Sequence, residues 1–151
     1  MNLQVDQSGK IEKTNQDTVL AFSGDAEYAI LIPAKAKQQI LRRLRSTKRR
    51  GKRVYLAFFA MALYHLLEGC LDRLKFVAID IEYEGHEHDI KLMLLNLIWK
   101  KYPRYPADHI TFRRVGKKSR VHKKALAVFR GEDGADKILT PDDFMGPFIR
   151  K

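Results

Sequence analysis

Cysteine occurs once in these 151 residues, as Cys70 within an apolar run, so an internal disulfide is excluded and the thiol is expected to be buried. That usage points to an intracellular, cytoplasmic chain without redox chemistry. The apolar run Val54 to Tyr64, "VYLAFFAMALY", falls short of the roughly 20 residues a membrane-spanning helix needs, and Arg53 and His65 flank it. A buried core helix is expected there, and no membrane partner. The opening "MNLQVDQ" has neither a basic stretch nor an apolar one, so no secretory signal is expected. No phosphate-binding loop, dinucleotide glycine motif or nucleophile elbow is present. Acid is scarce too: 18 Asp and Glu stand against 29 Lys and Arg, a formal net charge of +11, which calls for an anionic partner.

The shortage of acid is local. Lys35 to Arg53 contains ten Lys or Arg and no acid, and Arg113 to Lys124 contains seven and no acid. Charge runs are often only a solvated face, but two such runs exceed what solubility requires, and a phosphate backbone is the natural partner. Arg42, Arg43, Arg45, Lys48, Arg49 and Arg50 form one candidate nucleic-acid contact; Lys117, Lys118 and Arg120 form the other. Such contacts position a strand without reading its sequence.

The chain opens as β structure. Leu3 to Asp6, Thr18 to Phe22 and Tyr28 to Ile32 are β-prone runs separated by turn formers, a three-stranded antiparallel meander. From Pro33 the period lengthens, with Ile40, Leu41 and Leu44 giving a helical stripe. A second helix is expected from Val54 to Leu74, and a strand over residues 75 to 85, with Phe76, Ala78, Asp80 and Glu82 sharing one face. A helix from Asp89 to Lys101 capped by Asp89, a fifth strand in "HITFRRVG", and a last helix in "KKSRVHKKALAVFRG" capped by Ser119 complete the domain. The order is β-β-β-α-α-β-α-β-α, a mixed five-stranded α/β sheet flanked by helices. Residues 1–130 form the domain and 131–151 a polar C-terminal tail with one helix-start signal at Thr140-Pro141-Asp142-Asp143.

If the first and fourth strands are neighbours, Asp6 and Asp80 share one sheet face near the strand ends. A first strand ending in "VDQSG", two further strands, a later strand reading "FVAID" and a terminal helix with a polar residue near its start resemble the ribonuclease H-like nuclease superfamily, and "VAID" is similar to the fourth-strand acid motif of its RuvC-type resolvase branch. The resemblance spans roughly residues 1 to 130. It implies Asp6, Asp80 and His122 as metal ligands and catalytic residues; a last-helix histidine also occurs among Argonaute nucleases. The helix after the third strand is basic and lacks the glutamate some members use, and Glu68 stands on the following helix.

The chemistry gives its own reasons for these residue types. Two-metal phosphodiester hydrolysis sets divalent ions about 3.5–4 Å apart, one activating water and one steadying the leaving oxygen. Mg²⁺ takes hard oxygen ligands such as the carboxylates of Asp6 and Asp80. His122 suits Mn²⁺ better, or moves a proton. Glu82 either replaces Asp80 or supports it. The bland alternatives are an Asp6 that caps the Ser8–Gly9 turn, an Asp80 paired with a nearby cation, and a surface His122. The pair His86 and His88 lacks structural zinc spacing and is expected in a solvated loop.

The expected function is a Mg²⁺- or Mn²⁺-dependent endonuclease acting on structured DNA or RNA. A non-catalytic nucleic-acid-binding module is the alternative, and an adaptor using "DDFMGPFIRK" as a peptide handle is a third class. Oligomeric state is open, a dimer included.

Overall fold

The computed structural model describes residues 1–149. Its framework is a mixed sheet of β1 (Asn2–Ser8), β2 (Thr18–Gly24), β3 (Tyr28–Ile32), β4 (Phe76–Asp80), β5 (Ile110–Arg113) and β6 (Lys137–Ile138), in the order β5-β4-β1-β2-β3-β6. The first three strands form the antiparallel meander. β4 runs parallel to β1, and β5 parallel to β4. The sheet has six strands rather than five.

The helices are α1 (Ala34–Arg45), α2 (Lys52–Leu67), α3 (Glu87–Trp99), α4 (Arg120–Phe129) and α5 (Pro141–Phe144). They divide between the two sheet faces according to the period-two alternation of the strands. Leu3 and Val5 of β1, Leu20 and Phe22 of β2, and Val77 and Ile79 of β4 enter the large core with α1 to α3. Val19 and Ala21 of β2 point the other way, into a smaller core with Val121, Ala125 and Val128 of α4. α2 is buried on almost every side, from Val54 to Leu67, because α1, α3 and the sheet all pack on it. That burial is why its sequence shows no polar face.

Several boundaries differ from those the sequence implies. α2 stops at Leu67 and tightens into a 3₁₀ turn, Glu68–Cys70, at a glycine of poor helix propensity. Cys70 is buried, as expected. β4 ends at Asp80, where β5, its partner, also runs out at Arg113, so residues 81 to 85 leave the sheet. Asp89 lies inside the first turn of α3 instead of capping it; His86 stands before that helix. Lys117 and Lys118 precede α4, which begins after Ser119, whose hydroxyl accepts from the His122 amide at 3.1 Å.

The C-terminal stretch is not a loose polar tail. Lys137 and Ile138 pair in parallel with Ile30 and Leu31, and Asp136 accepts from the Ala29 amide at 2.7 Å. The helix-start signal works as read: Thr140 and Asp143 form a capping box around Pro141. Leu139, Phe144 and Ile149 are buried in the main core. No helix among the described residues is long and apolar enough to cross a membrane.

Candidate active site

Along the parallel pair, Val5 faces Ile79, and one residue further Asp6 and Asp80 lie side by side on the α4 side of the sheet. Asp6 is buried, with 5% of its surface exposed. One oxygen, Oδ1, accepts from the Gln7 amide at 2.8 Å. The other, Oδ2, lies 2.7 Å from Nδ1 of His122, which the first turn of α4 brings over β1. Asp6 therefore does not cap the Ser8–Gly9 turn. Asp80 Oδ1 accepts from the Val115 amide at 2.8 Å, and among the described residues Asp80 has no ion pair with a Lys or Arg side chain.

Glu82 reaches the same place from beyond the end of β4. Asp6, Asp80 and Glu82 each offer an oxygen within 4.8 Å of the others. Such proximity is unfavourable for three charges, and it contributes to the raised pKa values of Asp6 and Glu82. Burial raises the Asp6 pKa, opposed by the Gln7 and His122 hydrogen bonds. Burial, then the charges of Asp6 and Asp80, pushes Glu82 up from the ordinary 4.5 to about 8. At neutral pH and without a cation, Glu82 holds a proton.

A testable pH dependence follows. Between about 4.5 and about 8 the folded chain binds the Glu82 proton more tightly than the unfolded chain does. The stability conferred by that proton is complete below 4.5 and is lost as pH rises through about 8. Glu82→Gln should flatten the metal-free pH–stability curve in this window, relative to the parent, by at most about 1.4 kcal/mol per pH unit. Urea denaturation in EDTA across the window checks it; identical curves for both proteins would refute the assignment.

The three carboxyl groups present hard oxygen donors, a donor set that could hold a hard divalent cation once Glu82 gives up its proton. His122 completes the group in a specific way. A hydrogen on Nδ1 donated to Asp6 leaves Nε2 as the ring atom free to exchange a proton or bind a metal.

These groups open into a cleft of ≈ 540 Å³, which Gly9, Lys10, Arg114, Gly116 and Lys117 also line. Lys117 is thus beside the acids, as expected. Lys118 and Arg120 do not line the cleft: Arg120 is turned to Glu27 at 2.6 Å. Lys10 was not anticipated and lines it.

The lip carrying Gly9 and Lys10 is held from behind. Lys37, fully buried on α1, donates to the carbonyls of Lys10 (3.1 Å) and Lys13 (2.8 Å) and to Thr18 Oγ1 (3.1 Å), which itself donates to the Gly9 carbonyl at 3.0 Å. Burial pushes the Lys37 ammonium down to about 8, although Asp17 and Glu12 draw it upward. Glu12 ties the same loop to the segment after β4, accepting from the Tyr83 hydroxyl at 2.8 Å. Gly9 has φ +82, and a Cβ there would strike the Asp17 carbonyl and the Phe129 ring, so only glycine fits. The lip is therefore fixed in place beside Asp6.

Comparison with models of known protein families, with curated proteins and with solved structures returns no match for this chain.

Proposed function

We propose that this protein is a divalent-metal-dependent nuclease of ribonuclease H-like architecture, hydrolysing phosphodiester bonds in DNA or RNA. The observation that carries this reading is the cluster of Asp6, Asp80 and Glu82 on the α4 side of a β1–β4 parallel pair, with His122 at 2.7 Å from Asp6. The strand order β3-β2-β1-β4-β5, with a helix over β1 carrying a polar residue at its start, supports the resemblance already drawn.

A divalent ion at this site would supply an activated water and charge stabilisation for the phosphorane-like transition state. Asp6, Asp80 and Glu82 would hold it, Glu82 giving up its proton on binding. Asp6 also orients His122, so that Nε2 is the atom exchanging a proton with the attacking water or leaving oxygen. Lys10 and Lys117, lining the cleft from two sides, would draw in the phosphate and set its orientation.

The test is incubation with labelled duplexes, hybrids, single strands and four-way junctions in Mg²⁺, Mn²⁺ or EDTA. Cleavage that needs metal and is lost in EDTA is the expected result; absence of cleavage on every substrate would overturn the reading. One observation favours the alternative of a non-catalytic nucleic-acid-binding module: Asp6 and Asp80 already have internal hydrogen-bond donors, in Gln7, His122 and Val115. Binding without cleavage would select it.

A further inference from the structure

We propose that the junction between α1 and α2 is a second nucleic-acid site, one that grips a single strand extending out of the cleft. The proposal extends the nuclease reading, and rests on it only for where that strand ends.

The junction carries the longer of the two acid-free runs, and none of the cations from Arg42 to Arg53 has an ion-pair partner among the described residues. In the other run Arg114 and Arg120 are both engaged by glutamates, and Lys124 lies 3.9 Å from Asp133. The surface is also concave. Lys48, Arg49, Arg50 and Arg53 line a hollow of ≈ 980 Å³ together with one aromatic, Phe148. An adjoining hollow of ≈ 470 Å³ holds Arg42 and Arg43.

The guanidinium groups are set in position by neutral acceptors. Arg50 donates to the carbonyls of Thr47 (2.8 Å) and Arg49 (2.9 Å), and Arg45 donates to the Tyr55 hydroxyl at 3.2 Å while its guanidinium carbon lies 5.8 Å from the Tyr55 ring centre. Each keeps its full charge and spare donors for an anion.

The same contacts link the junction to the acid cluster. Tyr55 stands one helical turn before Phe59, whose ring centre lies 5.8 Å from that of Tyr83. Tyr83 follows Glu82 directly. Phe59 and Tyr83 are both buried, so the acids and Arg45 are joined through the core, and a strand running from one to the other passes over the surface outside them.

A concave groove with several unpaired cations and one aromatic side chain suits a flexible strand, whose phosphates meet the cations and whose bases can stack.

The experiment measures binding in EDTA, where no cleavage intervenes. The probes are oligothymidylates of about 6 and about 24 nucleotides, a duplex of the longer length, and phosphatidylserine vesicles. Replacing Arg49, Arg50 and Arg53 together by Gln should weaken the longer strand at least tenfold and reduce its salt slope by about 2, at about 0.7 per lost phosphate contact. The shorter strand should change less than twofold. Phe148→Leu, which keeps an apolar side chain beside Tyr64, should weaken the longer strand about threefold without altering the slope. An unchanged slope, equal losses at both lengths, an unaffected Phe148→Leu protein, or tighter binding to duplex or vesicles would overturn the proposal. Loss of metal-dependent cleavage with this binding pattern intact would instead refute the nuclease reading and leave the strand site standing.

Discussion

Asp6→Asn is expected to reduce metal-dependent cleavage by on the order of 10³-fold or more, as when one member of a catalytic constellation is lost, while leaving the protein folded and its nucleic-acid affinity equal or slightly higher. The substitution keeps the shape of the side chain, and its amide oxygen can still accept from the Gln7 amide. What disappears is the charge facing His122 and the repulsion with Asp80. The Asn amide group would now present hydrogens to Nδ1 of His122, forcing the ring into its other tautomer and placing a proton on Nε2, the atom the mechanism needs free. Asp80→Asn should act alike, and the double variant should be little worse than either single one. The stability change should stay within about 1 kcal/mol, because exchanging the carboxylate hydrogen bond to His122 for a weaker amide one is offset by relieved repulsion. A purely structural Asp6 gives the opposite pattern, a stability loss on the order of 0.5–2 kcal/mol by analogy with helix caps and activity falling only with the folded fraction. Thermal midpoint, binding and cleavage measured on the three variants decide it, and a fully active Asp6→Asn protein would end the nuclease proposal.

How much of this site was legible beforehand depends on which physical rule placed each residue. Asp6 and Asp80 follow from strand alternation plus one assumption, that β1 and β4 are neighbours, and the structure has both. Glu82 reaches the cluster for a different reason from the one the alternation gives. The strand ends at Asp80, and the turn that follows delivers the side chain, a boundary set by where β5 stops and invisible in local pattern. Lys37 did leave a signal: Lys37, Ile40, Leu41 and Leu44 share one helical stripe, and a lysine on an apolar stripe needs buried acceptors. Its place inside a run of ten cations hid it. Arg120 sits in the acid-free run, but Glu27 comes from a distant turn that only the fold brings near. β6 could not be read at all, since two residues carry no period, and Leu139, Phe144 and Ile149 are isolated apolar residues in a polar stretch.

That last segment gives the largest expected effect on stability. The ring of Phe144 is fully buried, stacked on Phe58 at 5.3 Å between ring centres and 5.0 Å from His65. His65 also holds the segment through its Nε2, 2.9 Å from the Asp143 carbonyl. Phe144→Ala removes a large side chain from between α1, α2 and the C-terminal turn, and the cavity closes only in part because α2 is fixed by packing on its other sides. The expected cost is about 3–5 kcal/mol, the range for buried Phe to Ala, or roughly 6–20 °C in thermal midpoint for a chain of this size. Ile138→Ala is the control: that side chain is 61% exposed, and its truncation should change stability by less than about 0.5 kcal/mol. Urea denaturation of both variants provides the comparison. If Phe144→Ala cost no more than Ile138→Ala, residues 131 onward would be the dispensable tail their composition implies. A full cavity penalty would make the C-terminal segment part of the single folding unit, and would mean that Phe148 is held beside the α1–α2 hollow by the core itself and not by a loose end.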